Sequence, residues 1–174
     1  MKHRAGLIII LVLVLVGPTT THGQDSTLID FEIKDQFGRV HSHQDYINRV
    51  VVVIGSDKDG SQFNGIWDEA IHDSLENHPE YGRIAFLALA DVRGVPFFIK
   101  GIVKGKFPKE RDKWVLLDWK GRFTKAYRFD PGSTNILVFA PGGRLMHRVH
   151  GRGLEVDVLR GIVTTVRDVL DGQP

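Results

Sequence analysis

Apolar positions along this chain fall into runs of two different periods, separated by short polar breaks. Val50 to Ile54 are five consecutive β-branched residues, the composition of a strand buried on both faces. Gly55-Ser56-Asp57-Lys58-Asp59-Gly60-Ser61 ends that run. From Gln62 to about Asn77 the pattern turns helical, with Phe63, Ile66, Trp67, Ala70, Ile71 and Leu75 at helical spacings. Ser61 is the expected N-cap, and Pro79 stops the helix beyond its end. Ile84 to Ala90 is a second apolar run and the second central strand. Asp91 to Pro96 leads into a short helix from Phe97 to about Lys104, followed by a charged connector from Lys109 to Lys113. Val115 to Trp119 predicts a third strand, continuing after a Lys120-Gly121 turn through Phe123 to Phe129. Ile136 to Phe139 is a fourth, joined by a tight Pro141-Gly142-Gly143 turn to Leu145–Val149. A last helix, from about Leu154 to Leu170, has Val158, Leu159, Ile162, Val163 and Val166 in its apolar stripe. Upstream, Leu28, Phe31 and Ile33 mark a first strand within 24–33, and Asp35 to Arg39 a turn.

A strand–helix–strand opening, a late hairpin and a closing helix predict a mixed sheet with helices on both faces. There is no internal repeat and no linker, so residues 24–174 read as a single domain. The first 23 residues read differently. Lys2 and Arg4 precede an apolar run from Leu7 to Val16, which Gly17-Pro18 breaks, and small residues follow at Thr21 and Gly23. That run is far shorter than the roughly 20 residues a spanning helix needs, so 1–23 is expected to be a signal peptide and the protein to be exported, periplasmic or secreted. Left uncleaved, the same segment would be the chain's membrane attachment.

Charge changes the picture once this segment is set aside. The formal net charge is +2, from 23 Lys and Arg against 21 Asp and Glu, and Lys2 and Arg4 account for it. A domain of zero net charge is not expected to take nucleic acid or an anionic membrane as its main partner. Cysteine is absent. The chain therefore holds no thiolate nucleophile, no thiolate metal ligand and no thiol switch, and its stability rests on packing.

Three stretches carry a family likeness: Phe31-Glu32-Ile33-Lys34-Asp35-Gln36-Phe37-Gly38, Asn48 to Gly55, and Asn135 to Arg144 with the strand ending at Gly151. Over roughly residues 28–170 the chain resembles the redoxin group of thioredoxin-like proteins, which comprises exported thiol–disulfide oxidoreductases and alkyl-hydroperoxide-reductase peroxiredoxins. The resemblance implies a thioredoxin-like three-layer α/β/α sandwich with a mixed central sheet. It also implies that the family's Cys-x-x-Cys falls at Asp59-Gly60-Ser61-Gln62 and its cis-proline at about Thr134. The peroxiredoxin Pro-x-x-x-Thr-x-x-Cys is missing from the loop. Thiol-dependent oxidoreductase or peroxidase activity is excluded for this chain. What the resemblance leaves is a non-catalytic binding or accessory module in the cell envelope, holding an exported protein or peptide segment on the face of Asp57, Asp59, Ser61 and Thr134. No catalytic residue, metal ligand or cofactor is assigned.

The alternative is an enzyme on the same scaffold, above all a metal-assisted hydrolase using Asp57 and Asp59. Strand-Asp-x-Asp-x-Ser resembles the haloacid-dehalogenase phosphatase motif, although there the first Asp follows the strand directly and here Gly55-Ser56 intervene. A calcium loop is disfavoured because Gly60 arrives too early for an EF-hand. His41 and His43, two apart, would share a strand face and could hold one metal ion; His147 and His150 would not. Arg144, Arg148 and Arg152 make the late hairpin basic, which reads as a solvated edge. Trp67, Trp114 and Trp119 are expected in or near the core.

Overall fold

The computed structural model describes residues 26–172, so the expected signal segment lies outside the described residues. In chain order its strands are β1 (Glu32–Lys34), β2 (Val40–Ser42), β3 (Val50–Ser56), β4 (Ile84–Asp91), β5 (Leu116–Asp118), β6 (Thr134–Phe139) and β7 (Leu145–Gly151). The helices are α1 (Asn64–Leu75), α2 (Lys100–Lys104), α3 (Arg122–Ala126) and α4 (Val156–Leu170). The β-branched run becomes β3, the middle of a sheet ordered β5-β4-β3-β6-β7. Its neighbour β4 is parallel and β6 antiparallel, so the sheet is mixed, as expected.

Alternate residues of β3 point to opposite faces. Val50, Val52 and Ile54 meet Trp67, Ile71 and Leu75 of α1 and Ile162, Val166 and Leu170 of α4. Val51 and Val53 meet Phe31, Ile33, Phe123, Tyr127 and Phe139. One outer layer is therefore a pair of long helices, and the other is α3 with the β1–β2 hairpin.

Several expectations need correcting. The strand expected to continue through Phe123 to Phe129 is the helix α3. Gly121 turns the chain left-handed at φ +63, and Asp118 Oδ2 accepts the Phe123 N–H at 2.9 Å, which opens a helical turn. Phe123 and Tyr127, four apart, then bury on one face. The first helix starts at Asn64, after a 3-10 turn over Gly60–Phe63, so Ser61 is not its N-cap. Ile66, placed in the buried stripe from sequence, is 49% exposed. Leu28 and Phe31 lie in the core, but upstream of the short strand β1.

Between β1 and β2, the Asp35-x-x-Gly turn is built around a fully buried carboxylate. Asp35 Oδ1 accepts the N–H groups of Phe37 and Arg39, and Oδ2 takes Arg39 Nε at 2.6 Å. Burial pushes its pKa up, but the hydrogen bonds from Arg39 and His41 outweigh burial and hold it below the ordinary carboxylate range. His41 Nδ1 lies 2.6 Å from the Tyr46 hydroxyl, while His43 Nδ1 lies 2.8 Å from Asp30 Oδ1. The two rings are committed to different partners, so they do not form the shared metal face that their spacing allowed.

On the far side of the sheet, His147 of β7 packs against α4. Its Nδ1 is 3.5 Å from Thr165 Oγ1, and its buried Nε2 has no protein partner. Burial holds this imidazole below its ordinary pKa of 6.5. The folded ring therefore stays neutral where the unfolded ring takes up a proton, and that mismatch costs stability. His147's contribution should be fully present above about pH 6.5 and lost as the pH falls toward the depressed folded value. In His147→Leu, urea midpoints measured across that range should lose this part of the acid sensitivity. An unchanged pH slope would show that the ring is not buried in solution.

Candidate functional site

Three parallel strands, β3, β4 and β5, end on one edge of the sheet, and the loop before β6 returns to the same edge. In open α/β sheets this carboxyl edge is where ligands bind. Here it carries Asp57, Asp91, Asp118 and the Asp130–Ser133 loop.

Asp57, one residue past β3, ties two loops together. Its Oδ1 accepts the Gly60 N–H at 2.8 Å, and the Gly132 N–H lies 3.2 and 3.0 Å from its two oxygens. The carboxylate thus fixes the start of the 3-10 turn and the approach of the opposite loop. Gly60 completes the contact by being small: a Cβ there would sit 2.4 Å from the Ser133 carbonyl oxygen. Beneath the loops runs a buried polar chain. Thr134 Oγ1 donates to Asn64 Oδ1 at 2.8 Å, and Asn64 Nδ2 donates to Ser56 Oγ at 2.9 Å. Asn135 holds the second loop from inside, accepting the Asp130 N–H and donating to the Asp130 and Ser133 carbonyls. The hydroxyl of Ser133 donates to Asp130, which keeps that carboxylate below the ordinary range.

Above these supports opens a cleft of about 370 Å³, lined by Asp57, Asp59, Gln62, Phe63, Pro131, Gly132 and Arg152. That is large enough for a small ligand or one side chain of a peptide. On one wall, Asp59 carries an exposed carboxylate with no hydrogen bond or ion pair among the described residues. On the other stands Arg152, exposed, with its guanidinium close over Gly132. Phe63 and Pro131 supply apolar surface between the two charges.

The residues expected here divide. Asp57 and Asp59 line the cleft. Ser61 is exposed and turns its hydroxyl back to the Lys58 carbonyl at 2.7 Å. Thr134 is fully buried and supports the loops from below, so its side chain does not reach the cleft face on which the sequence placed it. Sequence reasoning missed Gln62, Phe63, Pro131, Gly132 and Arg152. Arg152 was legible only as part of a basic hairpin. It enters the site because Gly151 pairs with Thr134 in the β6–β7 register. Gln62 donates to the Asp59 carbonyl at 2.9 Å, closing Asp59 to Gln62 into one turn.

The arrangement offers opposite charges on two walls and a small apolar surface between the loops. It does not offer an activated nucleophile. Both oxygens of Asp57 are engaged by backbone N–H groups, and among the described residues no three His, Asp or Glu side chains come together as a metal-ligand set.

No protein-family model matches this chain, and no curated protein matches it. Solved structures do. The exposed lipoprotein thioredoxin of Streptococcus pneumoniae superposes with a TM-score of 0.55 at 18% identity, covering 78% of this chain and 98% of that one. A putative thiol:disulfide interchange protein DsbE from Chlorobium tepidum gives 0.57 at 13% identity, covering 85% and 98%. An uncharacterized conserved protein from Geobacillus kaustophilus gives 0.60 at 14% identity, covering 88% and 86%. With the sheet order, the two packed layers and these superpositions, the chain has the thioredoxin-like α/β fold and carries it without a single cysteine.

Proposed function

We propose that this protein is an exported, redox-inactive binding module that holds an extended peptide segment of another protein in the Asp59–Arg152 cleft. The observation that carries this reading is the cleft itself. It sits at the position the resemblance assigns to Cys-x-x-Cys, and a set of partly buried hydrogen bonds from Asp57, Asn64 and Asn135 supports its walls. A rigid site loses less entropy on binding than a loop that must order first. The charges on its two walls suit a peptide carrying one basic and one acidic group on either side of an apolar side chain. Export is supported by the basic start and apolar run of residues 1–23. The described similarity to a lipoprotein named as exposed fits the same compartment.

A photo-crosslinking residue at position 59, irradiated in producing cells, should trap one specific protein, and the same residue at position 167 on α4 should not. Arg152→Glu in the same crosslinking background should lower the yield of that adduct at least about tenfold, because it reverses the wall charge that remains when the probe replaces Asp59 and sets like charges against each other. Equal trapping at both positions, or a yield unaffected by the charge reversal, would mean that the cleft is not the binding site. The hydrolase reading has less support, because Asp57 is engaged by the backbone it organises and, among the described residues, no third His, Asp or Glu joins Asp57 and Asp59 as a metal-ligand set.

A further inference from the structure

The zero net charge of the domain conceals an uneven distribution. Between β4 and β5, the segment 97–113 contains Lys100, Lys104, Lys106, Lys109, Lys113 and Arg111 against only Glu110 and Asp112. Among the described residues none of these six cations forms an ion pair with a carboxylate. Lys100 lies 4.7 Å from the Trp119 ring centre, Arg111 lies 5.5 Å from that of Phe37, and Lys109 caps the Gly105 carbonyl. On the same segment are two of the most exposed large apolar side chains, Phe98 at 72% and Ile102 at 66%. Four residues apart across a helical turn that ends in α2, they lie on one face. Gln36 anchors the far end: its Nε2 donates to the Pro108 and Lys113 carbonyls, and its Oε1 accepts the Val115 N–H. The segment is thus a tethered platform that presents two exposed apolar side chains on a stretch rich in cations.

We propose that segment 97–113 docks this domain on an anionic lipid surface, with Phe98 and Ile102 inserted among the headgroups and the lysines paired with lipid phosphates. Charge complementarity selects the occupant. Unpaired lysines around a few projecting apolar side chains are the pattern of interfacial binding to acidic lipid, and the long lysine stems can lie along the apolar phase while their ammonium groups stay wet. A specific protein partner would need a patch of roughly 800 Å² with an apolar centre. Two exposed apolar side chains on a highly charged segment do not provide one. No helix among the described residues is long and apolar enough to cross a membrane, so this contact would be peripheral. It leaves the Asp59–Arg152 cleft free, and it stands whether or not that cleft binds a peptide.

Flotation of the full chain with two vesicle preparations tests it: phosphatidylcholine alone, and phosphatidylcholine mixed with phosphatidylglycerol. Binding should require phosphatidylglycerol and fall with added salt. The triple variant Lys104→Glu, Lys106→Glu, Lys109→Glu should lose at least about 100-fold in partitioning, from the per-lysine contribution at acidic surfaces with like-charge repulsion added. Phe98→Ser with Ile102→Ser should weaken binding without changing its salt dependence. All five positions are at the surface or half-buried, and far-ultraviolet circular dichroism checks that the variants fold. Equal flotation with both lipids would assign any binding to the Leu7–Val16 run and overturn the proposal. So would parental behaviour of the triple variant, or binding to soluble polyglutamate with none to acidic vesicles, which would point to an acidic protein instead.

Discussion

Trp67→Ala should cost about 3–5 kcal/mol of stability, the range for removing a large aromatic side chain from a packed interior. Trp67 is fully buried, with Val52, Ile54, Ile71, Ile136, Ile162 and Val166 in the same cluster. It is the side chain that fills the space where α1, the sheet and α4 meet. Its ring also lies against Gly151: a Cβ there would be 3.2 Å from Trp67 Cζ2. The indole N–H is buried without a protein acceptor, so part of the residue's packing gain is offset by a lost hydrogen bond to water. Trp67→Phe should therefore cost well under half as much as Trp67→Ala, since it keeps most of the volume and removes the orphaned donor. Urea or guanidinium midpoints at constant slope would measure both. A cost near zero for Trp67→Ala would mean that α1 is not locked to the sheet. In that case the cleft at its N-terminal end would have no rigid wall.

Gly60→Ala should damage both the stability of this protein and its cleft. The new Cβ would lie 2.4, 2.7 and 2.8 Å from the oxygen, carbon and nitrogen of Ser133. These are backbone atoms, so no rotamer change relieves the overlap and one loop must move. The Asp57 bonds to Gly60 and Gly132 span those two loops and would be stretched with them. About 1–3 kcal/mol of overpacking is expected, together with a loss of peptide capture larger than the stability change explains. Gly65 provides the control. It is exposed in α1, and a Cβ there meets nothing within 4 Å. Gly65→Ala should stabilise by about 0.5–1 kcal/mol, because alanine loses less backbone freedom in a helix. Thermal or denaturant melts of the pair should shift in opposite directions. A Gly60→Ala variant as stable as the parent would place the two loops farther apart than the structure has them.

The parts of the fold that were legible in the sequence are those whose residues repeat one preference. Five β-branched residues in a row admit little besides β3, and the late Pro-Gly-Gly turn between apolar runs gives the β6–β7 hairpin. The long stripe of α4 repeats through four turns. In contrast, α3 spans only Arg122–Ala126, too short for a period to declare itself. Phe123, Tyr127 and Phe129 read as a strand until the backbone turn at Gly121 and the Asp118 cap are known. At the site, Asp57 and Asp59 were visible because acids after a buried strand are conspicuous. The role of Thr134 was misplaced because sequence gives its position in the chain but not the depth of the first residue of β6. Arg152 reaches the cleft only through strand register, and the Asn64 bridge only through the direction of a helix that starts later than its apolar pattern suggested.

The outer layer opposite α1 and α4 is stitched from the two halves of the chain. Leu28 N–H donates to the Gly143 carbonyl at 2.7 Å, Leu145 N–H to the Ser26 carbonyl at 2.8 Å, and the Tyr127 hydroxyl bridges Thr27 and Ile29. The backbone bonds of Ser26 and Leu28 to Leu145 and Gly143 therefore cannot form until the hairpin more than a hundred positions later has been made. A ribosome or secretion pore delivers the chain in order, so the earliest residues to emerge are among the last to settle. Such long-range closure slows folding. It leaves Leu28 without its hairpin contact, and in need of shielding, for most of the time the polypeptide is being delivered.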